Sequence, residues 1–132
     1  MHKSIRNLLA FGIIVTVTSC AAPIAYLAGG AVVGAWVLDQ SEDGSGVLVL
    51  PERPETVFAA AQRVAHRRGH DVVATRGSMR IEFSCDDADV IMQVLMVPDR
   101  RDVAQLKVRA RELIRGRADL AADLAASVEA EL

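Results

Sequence analysis

The sequence has little cysteine, no basic excess and none of the compact motifs that announce a reaction. Two cysteines in 132 residues cannot build a disulfide framework or a four-thiolate zinc site. A formal charge of −2 lacks the overall basic excess of a nucleic-acid binder. No nucleophile elbow, phosphate-cradling glycine loop or paired-cysteine motif is present. The length leaves no room for two domains of the usual ~100–200 residues. What the chain has in quantity is apolar side chains, 52% of the total, enough to offset ordering entropy and to exclude disorder as the dominant state.

The first residues read as an address. Lys3 and Arg6 precede Leu8 to Val17, an uncharged apolar run of ten. Such a run is too short to cross ~30 Å of hydrocarbon at ~1.5 Å per residue, and it suits the apolar region of a secretory signal. It ends in Val17-Thr18-Ser19-Cys20, which resembles the lipobox of bacterial lipoproteins: an aliphatic residue, two small residues and the cysteine that receives lipid. The small residues let a peptidase pass the backbone beside the modified thiol. The resemblance implies a signal peptide over 1–19, cleavage between Ser19 and Cys20, diacylglycerol on the Cys20 sulfur and a fatty acid such as palmitate on the new amino terminus. Two or three acyl chains hold a protein stably on a membrane where one does so only marginally. Ala21, in place of an aspartate, implies the outer membrane of the cell envelope, periplasmic face, in preference to the inner membrane. Cys85 is then the only other thiol and reads as a buried apolar side chain, with an intermolecular disulfide as the alternative in an oxidising compartment.

Ala21 to Leu38 is a second stretch without charge, eighteen residues long, which meets the length threshold for a membrane span. Half of it is Ala or Gly, and Tyr26 and Trp36 stand too close together to mark both interfaces of a bilayer. The reading adopted is a membrane-proximal segment over 20–38, followed by a polar Gly/Ser-containing linker over 39–46 and a periplasmic domain over 47–132. The alternative keeps the stretch in the membrane, where Gly30 and Gly34, spaced small-xxx-small, bring two helices together.

Within 47–132 the periodicities alternate in a readable order. Val47-Leu48-Val49-Leu50 is a short strand stopped by Pro51. Pro54 to Arg68 is a helix, with Pro preset at its first turn, Glu55 at the positive end of the dipole and an apolar stripe of Val57, Phe58, Ala61, Val64 and Ala65. Gly69 ends it. Strands follow over 71–75, 79–85, 90–97 and 103–111, divided by turns at Gly77-Ser78, Asp86-Asp87 and Pro98-Asp99. A last helix starts near Asp119, as N-cap, with Leu120, Leu124, Val128 and Leu132 four apart. The order β-α-β-β-β-β-α groups strands together, which predicts an α+β fold, an antiparallel sheet of four to five strands packed on two helices.

With Ser19-Cys20-Ala21-Ala22, Gly29-Gly30-Ala31, the Pro54–Arg68 helix with its Gly69 stop and a terminal helix after Gly116, the whole chain resembles a family of small bacterial envelope lipoproteins of unknown function. That resemblance brings no reaction and no catalytic residues.

Few residues invite a chemical reading. His66 and His70 have the four-residue spacing of two ligands on one helix face, but Gly69 lies between them and no third ligand is near in sequence. Asp86-Asp87-Ala88-Asp89 lacks the spaced oxygens of a calcium loop and reads as a hairpin turn. Ser78 and Ser84 have no histidine placed in sequence to activate them. No metal, cofactor or enzymatic activity is therefore expected. One charge feature has functional potential. Gln105, Lys107, Arg109 and Arg111 fall on the outward side of one strand, with Arg80 across the sheet, and three alternate cations face lipid phosphates if the domain sits near a membrane. The plainer reading is a solvated sheet face neutralised by Glu82 and other acids. The sequence thus predicts a non-enzymatic, membrane-anchored binding or scaffolding module. Its partners are the membrane, through Cys20, and another envelope protein, with no nucleic acid; the alternative is a structural membrane component built on Gly29–Gly34.

Overall fold

The computed structural model describes residues 33–132. Ser19, Cys20, Gly29 and Gly30 lie outside the described residues, as does the signal segment. The described chain runs β1 (Trp36–Leu38), β2 (Ser45–Leu50), α1 (Pro54–Arg68), β3 (His70–Thr75), a 3-10 turn (Arg76–Ser78), β4 (Arg80–Cys85), β5 (Ala88–Val97), β6 (Arg100–Glu112), β7 (Arg115–Gly116) and α2 (Ala118–Glu131). The strands form one antiparallel sheet in the order β1-β2-β6-β5-β4-β3, with β7 paired to β6. α1 carries the chain from β2 to the far edge, and three successive hairpins bring it back until β6 lies beside β2. This is the α+β arrangement read from the sequence, with the helices in the expected places. The sheet has seven strands where four to five were expected, because β1 and β7 are too short to leave a periodic signal.

Strand alternation divides the sheet into two faces. Leu48 and Leu50 of β2, Ile81, Phe83 and Cys85 of β4, Val90, Met92 and Val94 of β5, and Ala104, Leu106, Val108 and Ala110 of β6 point to the core. There they meet Val57, Phe58, Ala61, Val64 and Ala65 of α1 and Leu120, Leu124 and Val128 of α2. The helices are joined at the surface by Arg63 and Arg67 with Glu131, and by Arg68 with Asp123 at 2.6 Å. α2 differs from expectation at both ends. Its N-cap is Arg117, and the Asp119 carboxylate accepts from that guanidinium at 3.1 Å instead of capping the helix; Leu132 stays partly exposed. Gly69 ends α1 in extended backbone, φ −132, its N–H donating to the Ala65 carbonyl at 2.9 Å.

The strands 36–38 and the turn after them correct the expected boundaries. Trp36-Val37-Leu38, read as the end of a membrane-proximal segment, pair with Leu48, Val47 and Gly46. The 39–46 stretch, read as a linker, is a tight turn and the start of β2. Asp39 accepts from the Ser41 N–H at 2.9 Å and from its hydroxyl, and the Ser45 N–H donates to the Glu42 carbonyl at 3.2 Å. Gly44 sits at φ +76, where a Cβ would come within 2.3 Å of the Ala110 carbonyl oxygen. A polar run with Gly and Ser is the composition of a free linker and of a hydrogen-bonded turn alike, and only the tertiary partners separate them.

The two margins of the sheet are unequal. β1 is three residues long. β3 is exposed along nearly its whole length and irregular: between His70 and Val73 it carries one more residue than β4 opposite, and Asp71 there has φ 54.

Candidate functional site

The face of the sheet turned away from the helices carries most of the polar chemistry. Register places Val37, Val47, Lys107, Gln93 and Arg80 in one row across five strands, and Ser45, Arg109, Ile91 and Glu82 in the next. The three outward cations of β6 are therefore on one face, as their alternation implied. Two of them, Lys107 and Arg109, are already paired with acids, however. Lys107 Nζ lies 2.8 Å from Glu42 Oε2 and 3.5 Å from Asp39 Oδ2, while Arg109 Nη1 lies 2.5 Å from Glu42 Oε1. The β1–β2 turn folds over the sheet and delivers both acids to the row. Arg80 is paired within its own strand to Glu82 at 2.8 Å. Arg111 has no ion pair among the described residues, and its Nε is buried without a hydrogen-bond partner there.

The electrostatics follow from these pairs. Hydrogen bonds from Lys107 and then Arg109 hold the Glu42 carboxyl below the ordinary glutamate value, and Glu42 in turn raises the Lys107 ammonium. The Ser41 hydroxyl and N–H hold Asp39 low as well. Between Glu42, Arg80, Ile91, Gln93, Lys107 and Arg109 lies a shallow depression of about 120 Å³. It is too small for most organic ligands, whose pockets run to ~300–1,000 Å³. At Lys107 and Arg109 the arrangement matches the plainer of the two expectations, a sheet face whose cations are compensated by acids. Sequence reasoning expected compensating acids but did not identify Asp39 and Glu42, which lay in a segment read as linker.

Other candidates disperse. His66 stands in the last turn of α1 and His70 opens β3, so the two imidazoles do not share a helix face. Asp86 and Asp87, at φ 49 and 61, form the two-residue β4–β5 turn, the conformation that Asp tolerates. Among the described residues no three His, Cys, Asp or Glu side chains converge as a metal site. Cys85 is buried in the core, and desolvation first, then Asp86, pushes its thiol above the ordinary value. Such a thiol is a packing group and a poor nucleophile.

Two surface features carried no sequence signal. A broad concavity of about 1210 Å³ lies between Arg53–Glu55 at the start of α1 and residues 96–102 of the β5–β6 hairpin, where Met96 is 74% exposed. At the opposite end of β6, the turn into β7 places Leu113 and Ile114 in solvent. A scan against protein-family models finds no match to this chain, and a search of curated proteins finds none either.

Proposed function

We propose that the protein is a bacterial envelope lipoprotein, fixed to a membrane by lipid on Cys20, whose α+β domain serves as a non-enzymatic binding or scaffolding module. The observation that carries the reading is the register of four sequence features: the Lys3/Arg6 start, the ten-residue apolar run, the small Thr18-Ser19 pair and Cys20. Ala21 favours the outer membrane over the inner as the destination. A module without chemistry of its own is supported by the pairing of Lys107 and Arg109 with acids on the polar face and by a thiol buried in the core.

The competing structural-membrane reading loses support at its own residues. With Trp36–Leu38 in the sheet, the uncharged stretch that remains before β1 is 21–35, fifteen residues, or ~22 Å as a helix against ~30 Å of hydrocarbon. Gly34, half of the small-xxx-small pair, has φ +81 and donates its N–H to the Val49 carbonyl at 2.7 Å. It is part of the sheet margin, not of a helix interface. Among the described residues no helix is long and apolar enough to cross a membrane.

The test is mass spectrometry of the membrane-extracted chain. A diacylglyceryl and acyl adduct on an amino-terminal Cys20, lost with the membrane association in Cys20→Ala, is the expected result. An unmodified thiol or a retained 1–19 segment overturns the reading.

A further inference from the structure

The β6–β7 turn is chemically wrong for a turn. Its two residues are Leu113 and Ile114, between the paired Glu112 and Arg115, where a two-residue hairpin ordinarily takes Asn, Asp or Gly. Leu113 stands at φ 51, a left-handed conformation that a Leu adopts only against steric resistance. Both side chains are almost wholly in water, 94% and 90% exposed, more than any other large hydrophobic among the described residues. They contribute nothing to the core and strain the backbone that presents them. The fold accounts for neither fact.

The surroundings suggest what does. Arg115 beside the tip is exposed, and neither it nor the half-buried Arg111 has an ion pair among the described residues. Arg117, by contrast, is committed to Glu112 and Asp119, and Asp43 accepts from the Gly116 N–H at 2.8 Å, while Asp89, opposite Arg111 in the register, is exposed and makes no ion pair with it. Two aliphatic side chains ahead of uncommitted guanidiniums match the boundary of a phospholipid leaflet, acyl chains below and phosphates above.

We propose that the Leu113–Ile114 turn is a membrane-contacting tip, its aliphatic side chains entering the acyl boundary while Arg115 and Arg111 meet lipid phosphate. The proposal rests on the lipid-anchor reading, which keeps the tip within reach of a bilayer. The geometry permits it. Gly34 is bonded to Val49, and from there the tip lies eight strand residues away through the Ser45–Arg109 pair, about 26 Å at ~3.3 Å per residue. The thirteen residues 21–33 reach up to about 44 Å when extended, enough for lipid on Cys20 and the tip to share one surface.

The experiment uses the full lipidated chain in vesicles of phosphatidylcholine and phosphatidylglycerol, with and without brominated acyl chains. Ile114→Trp adds an indole at the tip, and the native chain, whose only Trp is Trp36, is the reference. The expected result is a blue-shifted tip emission, quenched by bromolipid at least twofold more than that of Trp36. Further changing Leu113→Asp, at an exposed site that leaves the core intact, abolishes the added quenching. An unquenched tip on a chain whose Cys20 mass shows acylation overturns the proposal and leaves the anchor standing. An unacylated Cys20 on the same sample overturns the anchor.

Discussion

Arg109 and Glu42 are sixty-seven residues apart in sequence and 2.5 Å apart at their charged atoms. The pair ties the β1–β2 turn to the middle of β6, and Glu42 reaches Lys107 with its other oxygen. Together with Asp39, this carboxylate balances the charge of Lys107 and Arg109 and adds a side-chain tie to a turn already held by its backbone bonds.

Removing that carboxylate leaves two half-buried cations facing each other. Glu42→Gln is expected to lower stability by about 1 kcal/mol, near the upper end for partly exposed pairs. Urea midpoints at neutral pH check it. A loss well below 0.5 kcal/mol would mean that the bridge contributes little beyond solvated charges.

The same group sets a pH dependence. Glu42 is held below its ordinary value of 4.5 in the fold, so its contribution is complete above that value and is lost as pH falls through the lower folded one. Stability of the native chain is expected to decline more steeply below about pH 4.5 than that of Glu42→Gln. Parallel pH profiles for the two chains would contradict the assignment.

Gly46 leaves room for the only tryptophan. A Cβ there would fall 2.2 Å from Trp36 Cζ2, so the indole lies flat against the glycine. Gly46→Ala must lift the ring, with an expected loss of ~1–3 kcal/mol and a red shift of the Trp36 emission. Gly77→Ala is the control, since a Cβ at Gly77 meets nothing within 4 Å. Equal effects at the two positions would refute the packing argument.

Leu106 is fully buried on the central strand β6. Leu106→Ala is expected to remove ~2–5 kcal/mol, by lost transfer energy plus the cavity left behind. Thermal or urea unfolding measures it, and a change under 1 kcal/mol would imply that the helices collapse onto the gap.

Cys85 predicts a reactivity pattern. Its thiol is buried and pushed above 9.0, so iodoacetamide should label it slowly in the native chain and rapidly in urea. The sign of its linkage is opposite to that of Glu42: the unfolded thiol ionises first, so stability falls as pH rises above 9.0. Rapid native labelling would show that the α1–β4 region opens readily.

How much of this was legible depends on the length of each pattern. Pro54–Arg68 has the same bounds in sequence and structure because fifteen residues allow a full apolar stripe between a proline and a glycine. The inward and outward sets of β4 and β6 were readable because strict alternation over six residues or more leaves one solution. β1 was not readable. Three residues at the end of an uncharged run carry no period, and Trp36 looks the same against a sheet as at a membrane surface. The outward cations of β6 are assigned the right face, but their acid partners could not be named, since nothing local links Arg109 to Glu42. Leu113 and Ile114 carried no signal at all: an aliphatic pair near the end of a strand reads as more strand.

The uneven β3 margin bears on how a molecule tethered to a membrane, as proposed above, would meet its neighbours. The lipid attachment proposed above would confine neighbours to two dimensions, where collisions between open sheet borders are frequent and each is a chance to knit chains into a continuous ribbon. The extra residue between His70 and Val73 throws the hydrogen-bonding groups out of step, and the exposed Asp71 charge repels a like border. On such a surface the domains would then stay separate.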